Sequence, residues 1–207
     1  MENILITSGG FNTINNYVSE DNIELFKKIS NGKKVMIIAN AAPLGTGNYV
    51  ARENVRENFI NSGANKADVI DLNNANLDLI LDYDVIYVLG GDVSPLIELN
   101  KNSKLKENII KFLKKGIYIG ESAGSVFLSK DAKYYYDIKK GTKPKYDVKL
   151  DTYKCLDLID IFIYPHFQKA SQVMQDKTVQ YERNNNIEIT RLNDGDIITY
   201  NFWINKW

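Results

Sequence analysis

Gly116-Ile117-Tyr118-Ile119-Gly120-Glu121-Ser122-Ala123-Gly124-Ser125-Val126-Phe127-Leu128 joins an apolar, strand-like run to a helical pattern through Gly-x-Ser-x-Gly. A serine lifted out of a sheet on so tight a strand-to-helix bend is a nucleophile elbow, and its strained backbone requires small neighbours where segments crowd together. Gly120, Ala123 and Gly124 supply them. The helix expected after Ser122 directs free backbone N–H groups and the positive end of its dipole at the hydroxyl, which suits an oxyanion forming there. A glycine turn that merely packs closely has the same spelling, but here a strand precedes it and a helix follows.

Upstream of the bend the chain alternates strand and helix. Asn3 to Thr7 is a short apolar run closed by Ser8-Gly9-Gly10, and Ser19 is a fitting N-cap for a helix carrying Ile23, Phe26 and Ile29. Lys34 to Asn40 holds Val35, Met36, Ile37 and Ile38 without alternation, as in a strand covered on both faces. A helix over Tyr49 to Ser62, a strand over Ala67 to Leu72, a short helix or turn at Leu77 to Leu81 and a strand over Asp84 to Leu89 follow. The last ends in Gly90-Gly91-Asp92, and helical patterns at Leu96 to Asn100 and Leu105 to Lys115 lead to the strand at Ile117. Repeated βα units predict a parallel sheet, whose carboxyl ends form the ligand crevice, so Gly90-Gly91 and Ser122 belong at one rim. Gly45-x-Gly47 hints at a dinucleotide turn, but Val50 breaks the Rossmann fingerprint.

Downstream the character changes. Lys130 to Lys149 is an excursion rich in Lys, Tyr and Asp; Tyr134-Tyr135-Tyr136 reads as a short exposed strand, and the lysines at 139, 140, 143 and 145 as a solvated loop. Leu158 to Tyr164 is a last apolar strand, closed by Pro165-His166-Phe167. Ser171 to Asn184 is polar and helical, and Ile187 to Leu192 with Ile197 to Phe202 form a C-terminal β-hairpin across Asn193-Asp194-Gly195-Asp196. Trp203 and Trp207 are expected to cover that hairpin.

The 207 residues suit a single α/β domain over 1–207. With 26 basic and 26 acidic residues the net charge is zero, so nothing draws the chain to nucleic acid or an anionic membrane. A single cysteine, Cys155, cannot form an internal disulfide, and the N-terminus opens into a strand without a signal-like segment, which together predict a cytoplasmic protein. No run approaches the ~20 apolar residues of a membrane span. One Cys and one His make a metal site improbable, and no cofactor is implied.

A serine hydroxyl needs a base, and His166 is the only histidine. A lone histidine after an apolar strand is more often structural, but this one follows a buried strand at the end where the ligand rim belongs. Its orienting carboxylate must be one of many acids; Asp131, Asp137, Asp151, Asp157 and Asp160 all qualify by type. For the oxyanion, one N–H falls to Ala123 and the second to the Gly90-Gly91 loop. Cys155, without a glycine elbow, reads as an incidental or buried thiol.

Gly90-Gly91-Asp92, Gly120-Glu121-Ser122-Ala123-Gly124 and Pro165-His166-Phe167, in this order and on these strand ends, resemble the peptidase E family, with cyanophycinases as relatives. The likeness runs from about Ile4 to Phe167. It implies a three-layer, mostly parallel sheet flanked by helices, class I glutamine amidotransferase-like and flavodoxin-like. It also implies a serine dipeptidase acting on short peptides, with Ser122 as nucleophile, His166 as base, Asp137 as third member (Asp131 in reserve), and Gly91 and Ala123 as oxyanion donors. Asp92 and Lys169 are the expected substrate-binding residues, and the family likeness leaves room for a homodimer. Where the Asp-x dipeptidases carry a Gly-Glu-Thr-Arg-like stretch after Pro-His-Phe, this chain has Gln168-Lys169-Ala170-Ser171, so Asp-x selectivity would fall to Lys169, Lys177 or Arg183. An esterase would use the same residues, and a catalytically silent binding module is the alternative of a different class.

Overall fold

The computed structural model describes residues 2–12, 19–42, 49–139 and 150–202. Gly45 and Gly47, the lysines at 140, 143 and 145, and Trp203 and Trp207 lie outside the described residues. Five parallel strands, β1 (Ile4–Thr7), β2 (Lys34–Ile38), β3 (Lys66–Ile70), β4 (Val85–Val88) and β5 (Ile117–Glu121), with antiparallel β8 (Ile197–Tyr200), make one sheet in the order β3-β2-β4-β5-β1-β8. Ile6 lies opposite Gly120 and Thr7 opposite Glu121, so β1 and β5 end together at the carboxyl rim.

Strand period two divides the core in two. Val35, Ile37, Val85, Tyr87 and Ile119 face one layer with Phe26 of α1 (Glu20–Ser30) and Val55 and Phe59 of α2 (Tyr49–Asn61). Met36, Ile38, Ile86, Val88 and Tyr118 face the other, with Leu96 and Ile97 of α3 (Ser94–Leu99) and Leu105, Ile109 and Phe112 of α4 (Ser103–Phe112). Two-sided burial is why the strands read as unbroken apolar runs. Ser19 caps α1 as its position requires, its hydroxyl accepting from Asn22 N–H at 3.3 Å. Leu77–Asp82 is a 3₁₀ helix.

Three readings change. Tyr134 to Tyr136 lies in a helix, α6 (Lys133–Ile138), started by Asp131 Oδ1 accepting from Lys133 N–H at 2.8 Å; Tyr134 and Ile138, one helical turn apart, are both buried. Tyr134 is anchored there because its hydroxyl donates to the Ile163 carbonyl (2.6 Å) and accepts from Ile163 N–H (2.9 Å). Only Phe162–Tyr164 of the apolar run before His166 forms a strand, β6; Leu158 and Ile159 are buried but unpaired in any strand. The two C-terminal strands, β7 (Ile189–Arg191) and β8, form where expected, yet their ladder partners are β6 and β1 and not each other. The 193–196 turn therefore bridges the main sheet and a small parallel one. Between β6 and β7 runs α7 (Gln172–Asn185). No helix among the described residues is long and apolar enough to cross a membrane.

Candidate active site

The bend at Ser122 is as tight as its sequence demands. Ser122 has φ 48 and ψ −103, sterically costly for a residue with a Cβ, and the chain turns directly into α5 (Ala123–Val126). Neighbouring contacts hold it there: Ser122 N–H donates to the Thr7 carbonyl (3.0 Å), and Thr7 Oγ1 donates to the Gly120 carbonyl (2.7 Å). Ser125 Oγ accepts from Thr7 N–H (3.0 Å) and lies 2.7 Å from the Gly120 carbonyl oxygen. Gly124 lets the turn press on β4, since a Cβ there would sit 2.3 Å from the Val88 carbonyl oxygen. Because α5 is a single turn, its dipole contributes little; the contribution of the bend is the position of the Ala123 N–H.

His166 arrives from the other sheet. β6 delivers Tyr164-Pro165, and His166 itself is left-handed, φ 56 and ψ 34, at the start of a 3₁₀ turn, Phe167–Lys169. Its Nε2 lies 3.1 Å from Ser122 Oγ. On the other side of the ring, Nδ1 pairs with Oδ1 of Asp194. That carboxylate fixes the proton on Nδ1 and leaves Nε2 free to accept from the serine. Ser8, immediately after β1, secures both partners: its Oγ accepts from His166 N–H (2.8 Å) and donates to Asp194 Oδ1 (3.1 Å). Lys169 Nζ binds the other oxygen of Asp194 at 2.7 Å. Burial raises the Asp194 pKa, but the hydrogen bonds and charges of Lys169 and His166 outweigh it and hold the carboxyl below its ordinary value.

The carboxylate that meets His166 is thus Asp194, from the turn between β7 and β8, and the expected Asp137 stands elsewhere: it is ion-paired with Lys133 one helical turn away, with Tyr181 Oη at 3.4 Å. Asp131 accepts from the first amide of α6, Asp151 pairs with Lys101 (2.9 Å), Asp157 with Lys106 (3.7 Å), and Asp160 accepts from Tyr200 Oη (3.3 Å). Asp194 and Ser8 are the residues that sequence reasoning missed. The former lies within a turn-forming Asn-Asp-Gly-Asp, the latter in a strand-end glycine loop, and only their adjacency to His166 in space distinguishes them.

The second glycine loop lies against the serine, with a Cβ on Gly90 reaching within 3.2 Å of Ser122 Cβ. Gly91 has φ 143 and sits so near β2's exit that a Cβ would meet the Ala41 carbonyl oxygen at 2.2 Å. Of the consecutive N–H groups here, Leu89 donates to Ile38, Gly90 to the Glu121 carboxylate and Asp92 to Ala41 (2.9 Å). Gly91 N–H, like Ala123 N–H, has no acceptor among the described residues. Asp92 Oδ1 accepts from Ser94 N–H (2.8 Å) and Tyr136 Oη (2.9 Å) at the start of α3. Lys169, expected to meet substrate, pairs with Asp194. Cys155 is buried, and burial, then the charge of Asp131, push its thiol pKa well up, so it is an inert thiol.

The profile of peptidase family S51 matches residues 4–201, almost the whole chain. The chain belongs to peptidase family S51. This is a family of serine-type peptidases, consistent with the resemblance to peptidase E carried by the three strand-end motifs. An uncharacterised peptidase of Listeria innocua serovar 6a is 32% identical over 125 residues, 56% of this chain and 58% of that protein. Another, of Listeria monocytogenes serovar 1/2a, is 34% identical over 88 residues, 42% of each chain. The matched stretches thus span about half the length of these curated relatives. Among solved structures, a candidate peptidase E protein from Listeria monocytogenes EGD-e superposes with a TM-score of 0.74 at 23% identity, covering 97% of this chain and 94% of its own. A peptidase from an acI-B1 Actinobacterium gives 0.60 at 18%, covering 86% and 75%. At these identities the likeness is one of fold alone.

Proposed function

We propose that this S51 member is a serine peptidase that hydrolyses short peptides, with Ser122 as nucleophile, His166 as general base and Asp194 as the carboxylate that orients it. One observation carries the reading: an unbroken line of hydrogen-bonding atoms from Ser122 Oγ through His166 Nε2 and Nδ1 to Asp194. As Ser122 Oγ bonds to the scissile carbonyl carbon, His166 Nε2 takes its proton, and Gly91 and Ala123 N–H stabilise the resulting oxyanion. The C–N bond then breaks while Nε2–H passes that proton to the departing amine. Water, deprotonated by the same nitrogen, attacks the acyl-enzyme and releases Ser122. Lys169 neutralises Asp194 and is engaged there, so the proposed substrate class is short peptides without an assigned acidic side-chain preference.

The test is labelling with a fluorophosphonate probe, together with hydrolysis of a dipeptide panel and of short acyl esters. Wild type should label and cleave dipeptides, while Ser122→Ala, still folded, should do neither. Equal labelling of the alanine variant would remove Ser122 from the reaction. Esters cleaved without any dipeptide turnover would make the protein an acyl hydrolase of another kind.

A further inference from the structure

Glu121, the residue before the proposed nucleophile, is buried at 9% exposure although it carries a carboxyl group. Its side chain turns into the gap between two glycine loops. On one side, its Oε2 accepts from Tyr87 Oη at 2.7 Å, and Tyr87 Oη in turn accepts from Phe11 N–H at 2.7 Å in the loop after β1. The carboxyl's stem fills the space beside Gly10, where an added Cβ would lie 2.7 Å from Glu121 Cγ. On the other side it accepts from Gly90 N–H, and an added Cβ on Gly90 would stand 3.0 Å from Oε1. A buried ionisable group needs such compensation, and here one donor comes from β4 and the other from a loop of the rim.

We propose that Glu121 is a positioning residue for the oxyanion hole: by accepting from Gly90 N–H while anchored through Tyr87, it fixes the Leu89–Gly90 peptide and so sets the Gly90–Gly91 peptide that follows, with Gly91 N–H facing the reacting carbonyl. This rests on the serine-peptidase reading above. Gly90 N–H is held by Glu121, Asp92 N–H is held 2.9 Å from the Ala41 carbonyl, and the amide between them is left to point at substrate. A carboxylate is the group that fits. Tyr87 commits its acceptor face to Phe11 and therefore must donate to position 121, as Gly90 does; two donors converge and a carboxylate accepts from both. A glutamine of the same shape has one carbonyl oxygen and an NH₂, so one of the two donors would confront another donor. Donors lost from an oxyanion hole affect the transition state and not ground-state binding.

Glu121→Gln is the test, measured by dipeptide hydrolysis and by inhibition with a dipeptide boronate, whose tetrahedral adduct occupies the oxyanion site, and with a product amino acid, which does not. Misaligning one donor should lower kcat by about 10- to 100-fold, with KM changed less than about threefold. Boronate affinity should fall in parallel with kcat while product inhibition stays constant. A merely structural carboxyl would reduce all three with the folded fraction, or none. Tyr87→Phe, which releases one anchor but leaves the Gly90 bond, should give the same pattern with kcat lowered by about three- to tenfold, and it decides the matter if Glu121→Gln does not fold. Wild-type kcat in folded Glu121→Gln, or a change confined to KM, overturns the proposal. Failure of wild type to label with the fluorophosphonate would instead overturn the serine reading beneath it, so the two failures are distinct.

Discussion

Asp194 carries more interactions than its place in a turn suggests: one oxygen faces His166 Nδ1 and Ser8 Oγ, the other the Lys169 ammonium, and its own N–H donates to Gln168 Oε1 at 3.1 Å. With the side chain only 10% exposed, little water competes for the imidazole. Asp194→Asn would keep the shape but offer an amide, which can hold the ring in the wrong tautomer, with the proton on Nε2. The expected loss in kcat is about 10³- to 10⁴-fold. Asp137→Asn, by contrast, removes one partner of a partly exposed helical ion pair with Lys133 and should leave kcat within about twofold. Steady-state hydrolysis of one dipeptide by both variants separates the assignments. A large loss at Asp137 with none at Asp194 would reinstate the residue suggested by family likeness alone. The difference has a plain physical origin. Chain separation between Ser122 and an acid says nothing of which loop the fold brings to His166; α6 carries Asp137 to the Lys133 and Tyr181 side, while β7 pairing with β6 carries Asp194 to the imidazole.

Elements whose chemistry is local are legible from the chain. The elbow is the clearest case, because Gly-Glu-Ser-Ala-Gly encodes both the bend and the small atoms packed inside it, and the unbroken apolar runs of β2 and β4 announce a sheet covered on both faces. His166 stands out because it has no rival. Pairing at a distance is not legible: nothing in the chain says that the C-terminal strands join β6 and β1 separately, or that Tyr134 is pinned by Ile163 and so favours a helix at α6. Gly124 tests the local part. Its missing Cβ is where the Val88 carbonyl must lie, and that carbonyl is backbone of a central strand, which cannot swing aside. Gly124→Ala should therefore shift the elbow away from β4, destabilising the fold by about 1–3 kcal/mol. It should also slow fluorophosphonate labelling beyond what the unfolded fraction explains. A thermal melt unchanged from wild type would mean that the turn is looser than its contacts imply.

Across the described residues, the carboxyls moved away from their ordinary values go in opposite directions. Burial raises Asp68, Glu182 and Asp194, but hydrogen bonds from Lys66, Arg191 and Lys169 respectively, with those of other neighbours, prevail and leave all three below their ordinary values. A depressed acid contributes stability that is present above its unfolded pKa, near 4, and is lost as pH falls through the folded value. Glu121 runs the other way. Burial outweighs the Tyr87 and Gly90 hydrogen bonds and pushes it up to about 7 from an ordinary 4.5. Its contribution is complete below about 4.5 and disappears as pH rises through about 7, and that interval corresponds to about 3 kcal/mol. The groups bonded to it are the Tyr87 hydroxyl from β4, itself held by Phe11 N–H, and the Gly90 amide of the rim loop, with Ser122 at the next position. None is a cation, so none of these described neighbours offsets the charge as it forms. The fold should therefore be most stable near about pH 4–5 and lose about 6–12 °C in Tm between about pH 5 and 8. Glu121→Gln, which cannot ionise, should flatten that slope whatever its constant offset in Tm. Parallel Tm–pH curves for the two proteins would mean that Glu121 does not titrate in this range. If the slopes differ, the charged carboxylate that best accepts both donors at the oxyanion loop is also the form that costs the fold stability, so turnover should rise with pH where the melting temperature falls.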